Sequence, residues 1–226
     1  MKGICLVSGG LDSSLTLLEL NKRGLEVQPL FVDYNQWSSS MEENAVKRLC
    51  KWGNFTEPVI IRSFVEGENQ MDVGSVWGRG IALVGLVAMW AYTHSNDYVF
   101  IAVGNHKGDV GPDCKPGLFD SSLNETLQDA TKGQLELVLP IRELTTAGVG
   151  LELAKLGVPF DILYSCYWSP PCGYKSEHET YRCPGCRRKK IAMEAAGVTD
   201  KEFLDFPNGN KLGRSYQSTL AEKLTY

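Results

Sequence analysis

The chain has 226 residues, of which 43% are hydrophobic and 22% are charged, and its formal net charge is −4. This length suffices for one large α/β domain with a small appendage, and the composition is that of a soluble globular protein. The slightly negative charge leaves no extended basic surface, so nucleic acid is not expected as a direct substrate, although a local basic patch is compatible with it.

No apolar run has the length of a secretory or membrane-spanning segment. Residues 3–7 are short and lead directly into a polar turn, and residues 81–92 are too few to cross a bilayer. We therefore expect no membrane partner and a cytoplasmic location.

Apolar runs alternate with helix-like segments along most of the chain. Residues 3–7 predict a strand, and a helix follows from Ser13 to about Lys22, with Gly24 ending it. The later predicted elements are a strand at 27–32, a helix at 40–51, a strand at 59–62, a loop at 63–77, a helix at 80–94, a strand at 98–103, a loop at 104–117, a helix at 119–131, a strand at 135–139 and a helix at 145–156. This order predicts an α/β fold in which helices cover a five-stranded parallel sheet.

The sequence changes character after Pro159, where aromatic residues and cysteines replace the alternating pattern until a helix at 187–196. We predict a sheet domain at residues 1–157 and a smaller region at residues 158–226 that packs on it. Ligands of open α/β sheets bind at the carboxyl ends of the strands. The loops after the first, second and fourth strands should therefore share one crevice.

A glycine-rich turn separates the first strand from the first helix and reads Ser8-Gly9-Gly10-Leu11-Asp12-Ser13-Ser14. Glycines permit a tight turn and a close backbone approach, and the helix start directs free N–H groups and a positive dipole end at an anion. The turn lacks both the lysine of G-x-x-x-x-G-K-[ST] and the pattern G-x-G-x-x-G. It resembles instead the PP-loop, S-G-G-x-D-S, of ATP pyrophosphatases. A plain Ser/Asp helix cap after a glycine turn is the alternative interpretation.

Four of the seven cysteines form a cluster with the spacing C-x5-C-x10-C-x2-C. They are Cys166, Cys172, Cys183 and Cys186. Four thiolates suit a tetrahedral Zn²⁺ ion, and such a site is structural because no position stays open for water. A redox pair at the C-x-x-C is the alternative, and His178 is a reserve ligand.

Three features occur here in one order: the PP-loop, the loop Gly111-Pro112-Asp113-Cys114-Lys115-Pro116, and the cysteine cluster. This combination is similar to the 7-cyano-7-deazaguanine synthase family, and the likeness covers roughly residues 2–198. Shorter matches are Asp33-Tyr34 with Gln36 for the family's D-Y-G-Q, Gly78-Arg79 for its P-G-R-N, residues 164–167 for its W-S-C-Y, and Cys186 with the basic run after it for its C-x-x-R. The chain departs from the family at Asn35 (a glycine), Trp37 (a basic residue), Trp77 (a proline) and Gly80 (an asparagine), and in its cysteine spacing.

The resemblance implies a Rossmann-like PP-loop fold and an ATP-dependent carbon–nitrogen ligase of queuosine or related pathways. Such an enzyme adenylates 7-carboxy-7-deazaguanine, lets ammonia displace AMP to give an amide, and uses a second ATP to dehydrate the amide to a nitrile. It implies ATP with Mg²⁺ as co-substrate and one structural zinc ion per chain.

The resemblance also assigns roles to individual residues. ATP would be bound by Val7, Ser8, Gly9, Gly10, Leu11, Asp12, Ser13, Ser14 and Asp33. Asp12 and Arg79 would be catalytic: Asp12 would bridge to Mg²⁺ or, alternatively, cap the helix, and Arg79 would neutralise the substrate carboxylate or the α-phosphate. The deazaguanine would be bound by Tyr34, Gln36, Arg79 and Asp113, although an aspartate after proline also suits an ordinary turn.

The altered residues around the acceptor pocket leave other functions open. A paralogue could stop at the amide or join the deazaguanine carboxylate to an amine on another molecule, including a protein. A tRNA-thiolating PP-loop enzyme and a non-enzymatic nucleotide sensor are further alternatives. His106 is expected to be a solvated loop histidine, and the tail after Gly197 suggests packing or a homodimer contact.

Overall fold

The computed structural model describes residues 1–63, 78–108, 118–167 and 183–198. Most of the predicted loops at 63–77 and 104–117 lies outside these ranges. The elements are β1 (Lys2–Leu6), α1 (Leu11–Lys22), β2 (Glu26–Asp33), α2 (Ser39–Trp52), β3 (Val59–Arg62), α3 (Arg79–His94), β4 (Tyr98–Ala102), α4 (Leu118–Ala130), β5 (Glu136–Val138), α5 (Thr146–Lys155), a short 3₁₀ turn (Phe160–Ile162) and α6 (Pro184–Ala195). Within the described ranges, no helix has the length and apolar character that a bilayer span requires.

The five strands form one parallel sheet in the order β3-β2-β1-β4-β5. The predicted α/β fold with a five-stranded parallel sheet is confirmed. β1 lies at the centre, and the chain adds strands on one side of it and then on the other. The carboxyl ends of β1 and β4 therefore flank a topological switch point, where open sheets of this kind bind ligands.

The core lies on both faces of the sheet because successive side chains of a strand point to opposite sides. Cys5, Phe31 and Phe100 face the layer formed by α1, α2, α5 and α6. The residues directly before or after them, Ile4, Leu30 and Ile101, face α3 and α4. Burial on both faces explains why these strands are short, continuous apolar runs in the sequence.

The last described helix, α6, packs closely against α5. A Cβ atom on Gly150 would lie only 2.1 Å from the carbonyl oxygen of Ala192. Ala192 and Met193 belong to the same apolar cluster as the buried side chains of α1 and α5. This contact agrees with a C-terminal region seated on the sheet domain. The division between residues 1–157 and 158–226 stays a prediction, because much of the second range lies outside the described residues.

Candidate active site and metal centre

The glycine-rich turn at residues 7–10, the phosphate loop, connects β1 directly to α1. Gly9 has a φ of 71°, and a Cβ there would lie 2.5 Å from Cβ of Ala45 in α2. Glycine is required for both the left-handed backbone and this close contact. The Oγ of Ser13 accepts a hydrogen bond from the N–H of Ser8 at 3.1 Å and so closes the loop.

The N-terminus of α1 is open toward a ligand. Its N-cap is Gly10, and no side chain caps it. The alternative of a Ser/Asp helix cap is therefore not what the structure contains. Because Leu11, Asp12 and Ser13 line a cavity, the first turn of α1 is placed to bind an anion there.

This cavity has a volume of about 300 Å³ and lies at the carboxyl ends of β1, β2 and β4. One side is apolar, with Leu6, Phe31, Val84 and neighbouring side chains, and the other side is polar. The predicted ATP-binding residues that line it are Val7, Ser8, Gly10, Leu11, Asp12 and Ser13.

The other three predicted ATP-binding residues do not line the cavity. Gly9 packs beneath α2, and Ser14 is completely buried. Asp33 ends β2 and accepts hydrogen bonds from the N–H of Asn35 at 3.0 Å and from Arg62 at 2.7 Å. Burial raises the pKa of Asp33, but the hydrogen bonds outweigh burial and hold this pKa below its usual value. The carboxylate is thus ionised and engaged by Arg62.

Three of the predicted substrate residues meet at the polar side of the cavity. The backbone N–H of Tyr34 donates to Oε1 of Gln36 at 2.9 Å, and Arg79 approaches the hydroxyl of Tyr34 at 3.5 Å. Arg79 is the first residue of α3 and follows Gly78, whose φ of 78° turns the chain into the helix. Asn35 has a left-handed φ of 67°. Glycine, which the family has at this position, adopts this conformation freely, and asparagine tolerates it better than most other residues.

Glu42 belongs to the same polar cluster, and the sequence analysis missed it. Its two carboxylate oxygens accept hydrogen bonds from Ser38 at 2.7 Å and from Gln36 at 2.9 Å. Burial raises the pKa of Glu42, while the hydrogen bonds from Ser38 and Gln36 and the nearby Arg79 lower it, and the net shift is upward. In the sequence Glu42 is an unremarkable acidic residue in the first turn of α2. Ser38 and Gln36 lie only four and six residues before it, whereas Arg79 comes near it only in the folded chain.

His106 is buried next to Asp12, so the prediction of a solvated loop histidine was wrong. It is 1% exposed, and its Nε2 lies 3.3 Å from Oδ1 of Asp12. The backbone of Gly104 packs against the first turn of α1, where a Cβ would lie 2.8 Å from the carbonyl carbon of Asp12. This contact brings the residues that follow β4 beneath the phosphate loop.

α6 contributes Gly185 and Arg188 to the lining of the cavity. Arg188 donates a hydrogen bond to the hydroxyl of Tyr167, which lines the cavity as well. The sequence analysis relates the basic run after Cys186 to a family motif but assigns Arg188 no place in the site. A helical turn places residue 188 beside residue 185 and so brings one member of the run to the cavity.

Three of the four predicted metal ligands lie together. The Sγ atoms of Cys166, Cys183 and Cys186 are within 4.8 Å of one another, and the first two are 3.8 Å apart. Zn–S bonds of about 2.3 Å in a tetrahedron separate two sulfurs by about 3.8 Å, so this set fits a metal ion. Cys183 is also the N-cap of α6, and its Sγ accepts a hydrogen bond from the N–H of Cys186 at 3.4 Å.

The remaining predicted site residues lie outside the described part of the chain. They are the substrate residue Asp113, the fourth cysteine Cys172 and the reserve ligand His178.

The fold and the site together define a class: an α/β nucleotide-binding protein with a PP-loop at the switch point of a parallel sheet and a cysteine cluster that can hold a metal ion. Comparison with known proteins identifies the family. The family model described as "Queuosine biosynthesis protein QueC" matches residues 2–67 and 55–197, and the chain belongs to this family.

Curated relatives match over nearly their full lengths. The 7-cyano-7-deazaguanine synthase of Methanococcus maripaludis is 26% identical over 232 residues, which cover 88% of this chain and 97% of the relative. The protein of the same name from Picrophilus torridus is 27% identical, with 91% of this chain and 93% of the relative covered. The one from Campylobacter concisus is 25% identical, with 88% and 97% covered.

Proposed function

We propose that this chain uses ATP to adenylate 7-carboxy-7-deazaguanine and converts it with ammonia, through the amide, to 7-cyano-7-deazaguanine. One observation carries the proposal: a single cavity contacts both the phosphate loop and the cluster of Tyr34, Gln36 and Arg79. An adenylating enzyme needs this proximity, because the substrate carboxylate must reach the α-phosphorus of the bound nucleotide. Family membership and the named relatives support the choice of substrate.

In the first step, a carboxylate oxygen attacks the α-phosphorus and pyrophosphate leaves. The N–H groups at the start of α1 hold the β- and γ-phosphates, which become the leaving group. Arg79 neutralises the carboxylate or the α-phosphate, whose charges would otherwise repel each other. The apolar side of the cavity, with Leu6 and Phe31, limits the access of water to the acyl-adenylate.

Two further steps complete the conversion. Ammonia attacks the acyl carbon, AMP leaves, and one proton is lost to give the amide. The amide oxygen then attacks the α-phosphorus of a second ATP with release of pyrophosphate. Loss of two protons from nitrogen and departure of the oxygen with AMP give the nitrile.

Asp12 fits the role of a ligand for the Mg²⁺ ion that accompanies ATP. It lines the cavity, its side chain is 28% exposed, and it does not cap the helix. Carboxylate oxygens together with phosphate oxygens are the usual ligands of Mg²⁺. The ion would neutralise phosphate charge.

Product mass tests the proposal. The purified chain is incubated with 7-carboxy-7-deazaguanine, ammonium, ATP and Mg²⁺, and the products are identified by mass spectrometry. We expect the nitrile and two AMP per product molecule. An amide with one AMP would indicate the paralogue that stops earlier, and hydrolysis of ATP only to ADP would refute adenylation.

Substitution of Arg79 provides a matched comparison. Arg79→Gln should lower AMP formation by about 100-fold or more, as expected when a group that neutralises developing charge is removed. Arg23→Gln changes an exposed arginine just after α1 and should leave the rate unchanged.

We also propose that the cysteine cluster holds a structural zinc ion, with Cys172 as the fourth ligand. The spacing of the three described sulfurs supports this. Elemental analysis of the purified chain should give one zinc per chain. Less than half an equivalent of zinc, or iron with visible absorbance, would overturn the assignment.

A further inference from the structure

The ring of His106 has a fixed orientation because the backbone around it is anchored. Its Nδ1 accepts a hydrogen bond from the N–H of Gly108 at 3.0 Å. A Cβ on Gly108 would lie 2.7 Å from Cε1 of the ring, so the close approach depends on glycine. The N–H of Lys107 donates to the carbonyl of Arg142 at 2.9 Å and ties this segment to the residues that follow β5.

These contacts determine which ring nitrogen carries the proton. A backbone N–H can only donate, so Nδ1 of His106 must be the unprotonated acceptor. The proton of the neutral ring is then on Nε2, which lies 3.3 Å from Oδ1 of Asp12. A doubly protonated ring would place an N–H against the N–H of Gly108 and lose that bond. His106 therefore faces Asp12 as a neutral donor.

Asp12 is confined from two directions. His106 lies next to its carboxylate, and the backbone of Gly104 packs against its own backbone. The hydroxyl of Thr16 donates to the carbonyl of Asp12 at 2.8 Å. The carboxylate nevertheless stays accessible to the cavity.

We infer that His106 is a positioning residue for Asp12. Its Nε2–H, 3.3 Å from Oδ1, contacts the carboxylate and orients it, so that Oδ2 is available to the divalent cation that accompanies the ATP phosphates. A neutral donor orients the carboxylate without cancelling its charge, as a lysine or arginine would. Ligating carboxylates and histidines are commonly held by such hydrogen bonds, and loss of the outer partner typically costs 10–100-fold in metal affinity. The inference rests on the proposed use of ATP with a divalent cation.

Two substitutions separate the functions of the two ring nitrogens. The side-chain amide of His106→Gln reaches the position of Nε2 and can still donate to Asp12. His106→Asn reaches only the position of Nδ1, where it can accept from Gly108 but cannot reach Asp12. His106→Ala removes both contacts, and His94→Gln serves as control because His94 lies exposed at the end of α3.

The first measurement is binding of Mn²⁺ with inorganic pyrophosphate to the full chain, followed by electron paramagnetic resonance. We expect His106→Ala and His106→Asn to weaken Mn²⁺ binding by about 10–100-fold, and His106→Gln to restore most of it. Thermal unfolding of each variant without ligand reports any loss of stability. A purely structural role would lower the melting temperature and leave the Mn²⁺ affinity of the folded protein unchanged, which would overturn the inference.

A second measurement does not depend on any variant folding. In the wild-type chain labelled with ¹⁵N-histidine, the ring resonances of His106 should show the Nε2–H tautomer without ligand. An Nδ1–H tautomer or a charged ring would contradict the inference.

The outcomes also separate this inference from the proposed function. If the wild type forms no AMP but binds Mn²⁺ and pyrophosphate in a His106-dependent way, the proposed reaction fails and the positioning role stands. If the wild type makes the nitrile and all three His106 variants do so with unchanged Mg²⁺ dependence, the positioning role fails alone.

Discussion

Gly9 determines the shape of the phosphate loop through both its conformation and its contacts. Its φ is 71°, a Cβ would lie 2.5 Å from Cβ of Ala45, and its carbonyl accepts a hydrogen bond from the N–H of Tyr164 at 2.8 Å. In Gly9→Ala, the alanine would have to adopt a strained left-handed backbone conformation, and its Cβ would also clash with Ala45 of α2. We expect a loss of about 2–4 kcal/mol in the free energy of unfolding, measured by urea denaturation.

Gly10 provides the matched control, one residue further along the loop. Its φ is −80°, and a Cβ there would lie 3.4 Å from its nearest neighbours, Oγ of Ser8 and the carbonyl oxygen of Tyr164. Gly10→Ala should be close to the wild type in stability. Equal destabilisation by both substitutions would show that a clash with α2 is not what restricts position 9.

Glu42 and Glu43 are adjacent acidic residues whose pKa values shift in opposite directions. Burial raises the pKa of Glu42 above its usual value, whereas hydrogen bonds from Lys47 and Arg62 lower the pKa of Glu43. When the folded state has the higher pKa, it binds more protons than the unfolded state, and stability falls as pH rises through that window. When the folded state has the lower pKa, stability is gained above the unfolded pKa and is lost as pH falls.

The free energy of unfolding should therefore respond to pH with opposite signs in two variants. As pH rises above about 4.5, the wild type should lose stability relative to Glu42→Gln, and as pH falls below about 4.5 it should lose stability relative to Glu43→Gln. Urea denaturation of the three proteins at several pH values measures both differences. The same sign for both would mean that the burial of Glu42 is offset by Arg79.

At the scale of helices and strands, the sequence contained the information for the elements but not for several contacts between them. Each strand is an apolar run because both faces of the sheet are covered, and the phosphate loop follows β1 directly. The burial of His106 depends on Gly104 meeting α1, about 90 positions away in the sequence. Glu42 and Arg188 reach the cavity through the packing of α2 and α6. No local pattern reports that these two side chains reach the cavity, because this depends on how α2 and α6 pack.

The contact between α5 and α6 depends on one glycine. A Cβ on Gly150 would lie 2.1 Å from the carbonyl oxygen of Ala192, so Gly150→Ala must push the two helices apart. We expect a loss of about 1–3 kcal/mol in the free energy of unfolding, as is typical of an overpacked core. Denaturation by urea, with the change in helical circular dichroism as signal, measures it.

Gly148 in the same helix is the control for this substitution. Its Cβ would meet no atom closer than 3.5 Å, and its N–H donates to the N-cap hydroxyl of Thr145, a bond that alanine keeps. Gly148→Ala should raise the free energy of unfolding by about 0.5–1 kcal/mol, because alanine has the higher helix propensity. If Gly150→Ala raised the free energy of unfolding as Gly148→Ala does, helix propensity alone would account for both and the clash with Ala192 would be refuted.

At the scale of the whole molecule, the cysteine cluster and the phosphate loop share one segment of chain. Tyr164 donates its N–H to the carbonyl of Gly9 at 2.8 Å, and Cys166 follows two residues later. Ser165, which lies between these two residues, packs against Gly185 of α6. A Cβ on Gly185 would overlap the carbonyl oxygen of Ser165. A metal ion that holds Cys166 to α6 would thereby fix the segment on which the phosphate loop rests.

Removal of the proposed zinc ion should therefore weaken nucleotide binding as well as stability. Cys183→Ser loses one ligand and the N-cap of α6, and we expect the melting temperature to fall by roughly 4–8 °C, equivalent to about 2 kcal/mol for a chain of this size. Affinity for ATP, measured by calorimetry below the melting temperature, should fall in the same variant and in the chelator-treated wild type. Cys50→Ala removes a buried thiol from the apolar core between the sheet and the layer of α1, α2, α5 and α6, and should lower stability without changing metal content or ATP affinity. If metal-free protein bound ATP as tightly as the untreated protein, the cluster would stabilise α6 without supporting the phosphate loop.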